Sequence, residues 1–376
     1  MEFQREQTIE SNLYPKRALV IYGPRRVGKT TLLEAYLAQN QQKKIFFTTG
    51  DDILIRELFF SQNRSRILDL AAPYEIVAID EAQNVKNIGL GVKMIIDACP
   101  KKTVILTGSS SFDLSREVGE PLTGRHFTMT LLPFAQREVS MSRFELENAL
   151  DDFLIYGSYP EVLKASDSVT KAKILTELIS SYLFKDVLAL DKIKSPDLLL
   201  DIVKCLAFQI GKEVSFNEIA RTVRSDIKTV QRYVDTLEKM FVVKKVRGFS
   251  GNLRNEISKK VKFYFYDNGV RNAVIAQFNG LHLRNDVGQL WENFIFMELL
   301  KKETIEQGLS SFYFWRTHTG QEIDIIKETA GTLSAIECKW SNDQVNVPVL
   351  WKKNYNDSTF IVIHKNNYLT YLLGKE

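Results

Sequence analysis

Short β-branched runs alternate with stretches that carry apolar residues three or four apart. RALVIYG (17–23) is a strand by pattern, and KTTLLEAYLAQN (29–40) is a helix. KKIFFTTG (43–50), the apolar run in YEIVAIDEAQNV (74–85), TVILTGSSS (103–111) and RHFTMTLLP (125–133) repeat the strand signal between helical segments. Five strands interleaved with helices predict a three-layer α/β unit. Farther along, DLLLDIVKCLAFQIG is apolar-periodic, and SFNEIARTV opens on a serine cap. RSDIKTVQRYVDTLEKM places Ile227, Val230, Val234, Leu237 and Met240 on one helical face. FVVKKVRG and KKVKFYFYD then read as paired strands. The last third predicts a helix in VGQLWENFIFMELLKK and strands in SFYFWRT, QEIDIIKE, LSAIECKW and STFIVIH.

At 376 residues the chain is long enough for several domains, and 44% hydrophobic with 26% charged residues is ordinary for a globular protein. No apolar run approaches the roughly 20 residues of a membrane span, and MEFQREQTIE lacks the apolar stretch of a secretion signal. A cytoplasmic protein without membrane contact is therefore expected. Three dispersed cysteines and four dispersed histidines support neither a disulfide framework nor a zinc site. The net charge of +4 is unevenly placed: thirteen Lys and Arg stand against six Asp and Glu between Lys212 and Lys262. That basic segment is either a nucleic-acid contact or a solvated surface.

GPRRVGKT (23–30) fits the phosphate-loop spacing in its strand–loop–helix context. Gly23 and Gly28 let the backbone of Pro24, Arg25, Arg26 and Val27 curl so that the N–H groups that follow the proline point at phosphate oxygens, and the following helix, opening on Lys29, Thr30 and Thr31, adds favourable partial charge. Lys29 reaches the β- and γ-phosphates, and the Thr30 hydroxyl is placed for Mg²⁺. A partner carboxylate is expected at the end of a buried strand, and Asp80 supplies it, with Glu81 beside it to polarise water. Bound ATP and Mg²⁺ follow, with hydrolysis rather than binding alone. Ser109 or Ser110 could sense the γ-phosphate from the fourth strand, and Arg125 is a candidate arginine finger, which in trans would require an oligomer.

GPRRVGKTTLL, IDEAQNV, TGSSS, LTGRHFTMTLLPF and FLIYGSYPEVL, in this order, resemble the prokaryotic AAA-family ATPases that carry a C-terminal DUF4143 domain. The resemblance runs over nearly the whole chain. It implies an α/β multidomain protein with a RecA-like AAA+ core at 1–140, a helical lid at 141–195, a winged helix at 196–270 and a restriction-endonuclease-like domain at 271–376. The lid role of Tyr156–Leu163 is carried over from the family; the residues themselves give a turn-rich segment. The winged helix is legible without the family. Three helices and a β-hairpin have that plan, and the third helix offers Lys228, Thr229, Gln231 and Arg232 to phosphates and base edges. Packing against a protein surface is the other use of such a module.

In the last third, Asp324 ends EID, and Glu337 and Lys339 flank Cys338, so on a strand both project to one face. With Glu292 on the preceding helix they resemble the PD-(D/E)xK nuclease site. There Glu292, Asp324 and Glu337 would hold a second Mg²⁺ or Mn²⁺, and Lys339 would orient water. Tyr313, Trp315, Arg316 and His318 form either an aromatic, basic contact surface or core. Two readings therefore stand. One is an ATP-driven, DNA-acting enzyme with a metal-dependent nuclease site. The other is a switch ATPase whose C-terminal domains are interaction modules without cleavage.

Overall fold

Strands form where the β-branched runs predict them. In the computed structural model, residues 3–109, 122–181, 195–250, 261–341 and 344–374 are described. They fall into two compact units, Arg5–Leu132 with Lys239–Phe241, and Met1–Gln4 with Pro133–Glu238 and Val242–Glu376.

The first unit is built on β1 (Ala18–Tyr22), β2 (Ile45–Thr49), β3 (Ile76–Asp80), β4 (Thr103–Gly108) and β5 (His126–Thr130), all parallel in the order β2-β3-β4-β1-β5. β1 and β3 are buried along their whole lengths, which explains why they read as continuous apolar runs without alternation. Around them lie α1 (Lys29–Gln39), α2 (Ile53–Phe60), α3 (Arg64–Ala71) and α4 (Ile88–Ala98). Val20, Val77, Ile79, Val104 and Leu106 pack with Phe59, Ile67, Val92 and Ile95 from these helices. Asp52 and Asn63 cap α2 and α3 by accepting from backbone N–H groups. The strand order reverses at β1, whose two neighbours are β4 and β5, and such a switch point leaves a crevice beyond the carboxyl ends of the strands.

The second unit begins with α5 (Arg143–Asn148), α6 (Leu150–Tyr156), α7 (Pro160–Lys164) and α8 (Ser168–Ser181). The turn between α6 and α7 is tied down from far along the chain. Gly157 has φ 73°, and a Cβ there would sit 1.9 Å from Asp267 Oδ1. The next residue, Ser158, donates its N–H to Asp267 Oδ2 at 2.7 Å. Then come α9 (Pro196–Phe208), β6 (Glu213–Val214), α10 (Phe216–Thr222), α11 (Ile227–Lys239), β7 (Val243–Gly248) and β8 (Val261–Phe265). The remainder is α12 (Asn268–Val274), α13 (Val287–Ile305), β9 (Ser311–Arg316), β10 (Glu322–Thr329), β11 (Thr332–Cys338), α14 (Val349–Asn354), β12 (Thr359–Ile363) and α15 (Tyr368–Leu373). One seven-stranded sheet, β12-β11-β10-β9-β7-β8-β6, runs through both parts, because β7 pairs in parallel with β9 at Arg247–Tyr313 and Gly248–Phe314.

One side chain departs from the sequence pattern, and another takes one of its two open readings. Val230, Val234, Leu237 and Met240 are buried as the α11 periodicity predicts, but Ile227, the first residue of the helix, is 42% exposed. Trp315 belongs to the core with Ile323, Ile326, Ala335 and Trp351, whereas Arg316 and His318 are exposed. The aromatic is therefore packing material, and the candidate contact surface loses its indole.

Candidate functional site

The loop between β1 and α1 owes its shape to its glycines. A Cβ on Gly23 would lie 2.0 Å from the Leu131 carbonyl oxygen, so only glycine allows β1 and the end of β5 to approach this closely. Gly28, at φ 94°, turns the chain into α1 in a conformation that side-chain-bearing residues avoid. Arg5 donates to the Val27 carbonyl at 2.6 Å and braces the loop from outside. Pro24 and Val27 are buried, Arg25 is half-buried, and Arg26 and Thr31 are exposed. The buried Lys29 ammonium donates to the carbonyls of Gly23 and Pro24 at 2.9 and 2.8 Å, which holds it over the loop.

Asp80, at the carboxyl end of β3, is 8% exposed and accepts from Thr30 Oγ1 at 2.8 Å. Its other oxygen accepts from the Thr107 hydroxyl on β4. Thr107 Oγ1 in turn accepts from the Glu81 N–H at 3.1 Å. Glu81 adopts φ 48°, the left-handed region, and its carboxylate accepts from Gln83 Nε2. Gly50 makes room for that kink, since a Cβ there would sit 2.2 Å from the Glu81 carbonyl oxygen, and its N–H donates to the Asp80 carbonyl at 2.7 Å. Ser109 is buried beside this group, 3.4 Å from Gln83 Nε2; Ser110 lies outside the described residues.

Lys29, Thr30, Asp80, Glu81 and Ser109 therefore gather at one end of the sheet. Thr107 joins them although sequence reasoning missed it. Its signal was a hydroxyl closing the otherwise apolar run TVIL. Adjacent hydroxyl and carboxylate groups beside a ring of loop N–H groups are the donor set that Mg²⁺–nucleotide requires, so the residues fit both ATP and its metal. Arg125 is elsewhere. It precedes β5, opposite the start of β1, and pairs with Asp97 at 2.7 Å on the exposed surface. The loop leaves the far end of β1, about 13 Å farther on at some 3.3 Å per residue. Arg125 does not face the loop of its own chain.

The second set of candidates meets in the C-terminal sheet. Alternation along β8 puts Lys262 and Tyr264 on one face, toward Glu292 on α13. Lys262 Nζ donates to Glu292 Oε1 at 3.1 Å and lies 4.0 Å from Asp324 Oδ1. Tyr264 donates to the same Glu292 oxygen at 2.6 Å. Asp324 Oδ2 accepts from the Cys338 N–H at 2.8 Å, and Glu337 pairs with Lys339 at 2.8 Å.

Burial pushes Glu292 up to about 7, against the pull of Lys262. Asp324 and Glu337 are raised by burial as well, and the charge of Asp324 adds to the effect on Glu337. Burial pulls Lys262 down, but Glu292 and Asp324 outweigh it, and the ammonium is held above its ordinary value.

Among the described residues, no three His, Cys, Asp or Glu side chains are arranged to hold a metal ion. The expected ligand set of Glu292, Asp324 and Glu337 does not fit a divalent ion as it stands, because Lys262 is seated among its carboxylates. Sequence reasoning missed Lys262; its signal was a lysine inside the buried strand VKFYF. In this unit the α11 residues Lys228, Gln231 and Arg232 are exposed and Thr229 is half-buried. No helix among the described residues is long and apolar enough to cross a membrane.

Comparison with known proteins divides the chain into three stretches. The family described as AAA domain matches residues 15–140, DUF8612, a domain of unknown function, matches 147–281, and DUF4143, another, matches 287–367. An uncharacterized protein of Haemophilus influenzae is 25% identical over 75% of this chain and 74% of its own length. An uncharacterized protein of Methanocaldococcus jannaschii is 24% identical over 85% and 74%. Among solved structures, AMPPCP-bound DnaA from Aquifex aeolicus is 16% identical, covering 60% of this chain and 82% of that chain, with a TM-score of 0.26. Drosophila ORC bound to DNA is 12% identical, covering 73% and 92%, with a TM-score of 0.24. Superpositions of that quality carry no argument about this chain. The matched stretches follow the order of the motifs, with the AAA domain model on residues 15–140 ahead of the DUF4143 model on residues 287–367.

Proposed function

We propose that this protein is a Mg²⁺-dependent ATPase that acts with DNA, its nucleotide state coupled to a winged-helix module. The observation that carries the ATPase reading is the 2.8 Å contact between the loop hydroxyl Thr30 and the strand carboxylate Asp80, beside the buried Lys29. Thr30 and Asp80 would hold Mg²⁺, which when bound neutralises charge on the β- and γ-phosphates. The loop N–H groups from Arg25 to Lys29 orient the phosphates, and the Lys29 ammonium exchanges loop carbonyls for phosphate oxygens. Glu81, kinked away from the strand and steadied by Gln83, is the group that orients water and accepts its proton. Ser109, beside Gln83, is the candidate sensor of the γ-phosphate.

Support for DNA comes from the helix–strand–helix–helix–strand–strand order of α9 to β8 and from the exposed Lys228, Gln231 and Arg232 on α11. The position of Arg125 favours action on the nucleotide of a second copy. That role requires turnover per chain to rise with protein concentration and Arg125→Ala to remove the rise. The C-terminal domain enters this reading as an interaction module, since its carboxylates are already engaged.

The test is ATP turnover with and without duplex, single-stranded and branched DNA. Lys29→Ala is expected to lower turnover on the order of a hundredfold or more. A Lys228→Ala/Arg232→Ala variant should keep basal turnover, lose stimulation by DNA and bind DNA with a shallower salt dependence, by roughly two phosphate contacts. Undiminished turnover in Lys29→Ala would overturn the ATPase reading. DNA stimulation that survives the double substitution would overturn the assignment of α11.

A further inference from the structure

The C-terminal carboxylates already have a cation among them, and it is part of the chain. We propose that Lys262 is the resident cation of this pocket, standing where a divalent ion would sit, so that the domain takes no metal there and does not hydrolyse DNA.

Four of the six carboxylate oxygens have a partner within the chain. Glu292 Oε1 receives both Lys262 Nζ, at 3.1 Å, and the Tyr264 hydroxyl, at 2.6 Å. Asp324 Oδ1 is 4.0 Å from the same ammonium, and Oδ2 receives the Cys338 N–H at 2.8 Å. Glu337 Oε1 is taken by Lys339 at 2.8 Å. A divalent ion on Glu292 and Asp324 would have to displace the ammonium or lie against it, and like charges at that range in a buried site repel strongly.

Lys262 cannot readily swing away. Its backbone is paired on both sides, with Val246 of β7 and with Glu213 of β6, and its side chain is 4% exposed. Access does not keep ions out. Lys262 also lines a cleft of about 420 Å³ with Gly211, Lys212, Glu213, Arg316 and Glu322. Glu292 Oε2 reaches the rim of that cleft, 3.0 Å from where a Cβ on Gly211 would sit. Charge excludes the metal from a pocket that solvent reaches. The lysine comes from β8 and its carboxylate partners from α13 and β10, so the paired hairpin of one segment closes the acidic pocket of the next.

The experiment is Mn²⁺ titration of the full chain without nucleotide, read by the paramagnetic resonance signal of free Mn²⁺. Asp324→Asn marks binding at this pocket, and Lys262→Gln and Lys262→Met are the opened forms. Wild type should show no binding that Asp324→Asn removes, and incubation with DNA and Mn²⁺ should give no cleavage that Asp324→Asn removes. Either opened form should gain Mn²⁺ binding that wild type lacks, abolished when Asp324→Asn is added. Asp324-dependent binding or cleavage by the wild type overturns the proposal. Folded Lys262 variants that still take no Mn²⁺ overturn it as well, because the lysine would then not be what excludes the metal. Asp324-dependent binding or cleavage by the wild type would overturn the proposal even if neither opened form folded.

Discussion

Two buried lysines of this chain each lie among oxygen atoms, and their partners set them apart. Lys29 is held by two backbone carbonyls, neutral acceptors that it can exchange for phosphate oxygens without leaving a buried charge behind. Lys262 is held by carboxylates, and moving it would leave Glu292 and Asp324 uncompensated in a buried site. The carboxylate at each site follows the same rule. Asp80 faces two hydroxyls, which a metal ion can share or replace; Glu292 faces an ammonium and a phenol. The nucleotide loop is built from replaceable neutral partners and the C-terminal pocket from a closed charge balance. A site made to exchange ligands and a site made to stay shut can thus be told apart by the charge of what holds the lysine.

The most severe way to break the comparison is to remove the closed cation. Lys262→Ala should lower the stability of the C-terminal unit by about 3 kcal/mol, because it strands buried carboxylates. A Lys262→Met/Glu292→Gln pair should recover much of that loss. All four tryptophans of the chain, Trp291, Trp315, Trp340 and Trp351, lie in this unit, so their fluorescence during denaturant unfolding reports on it without interference from the nucleotide domain. A loss under about 1 kcal/mol for Lys262→Ala would mean that the ion pair is not what closes the pocket.

The nucleotide loop was legible because its chemistry is local. Gly23 to Thr30 are contiguous, and Asp80 ends an apolar strand whose run marks it as buried. Thr107 was harder: it faces Asp80 only because β4 lies beside β3, and strand order is not written in any one segment. The C-terminal site was half legible. Glu337 and Lys339 follow from strand alternation, but the partner of Glu292 is thirty residues upstream, on a strand assigned to another module. Ile227 fell outside its predicted buried face and Trp315 was left open between surface and core, for a common reason. Periodicity gives the face of an element, whereas burial depends on which neighbour covers that face.

A smaller effect separates the two sites by pH. Glu292 is raised by burial to about 7 from an ordinary 4.5. Between those values the folded protein keeps a proton that the unfolded chain releases. The stabilisation from this group is therefore complete below the unfolded value and is lost as pH rises through the folded one. Asp324 and Glu337, raised in the same direction, add to the slope. Unfolding free energy from tryptophan fluorescence should fall by about 2 kcal/mol more between pH 5 and pH 7.5 in wild type than in Glu292→Gln. Parallel profiles would place Glu292 in an ordinary ionised state and remove the pH contrast.

The finest distinction concerns Thr107, the hydroxyl that joins Asp80 to the Glu81 backbone. Thr107→Val keeps the shape of the side chain in a fully buried position and deletes only its hydrogen bonds, so the fold should lose about 1 kcal/mol. Catalysis should suffer more than binding. Freed from Thr107, Asp80 and the kink at Glu81 keep their charges but lose the link that fixes one against the other. Turnover should then drop about tenfold while ATP affinity changes less than about threefold, the signature of an interaction that matters in the transition state. Equal losses in both would make Thr107 a packing residue of β4. The nucleotide site would then be set by Lys29, Thr30 and Asp80 alone.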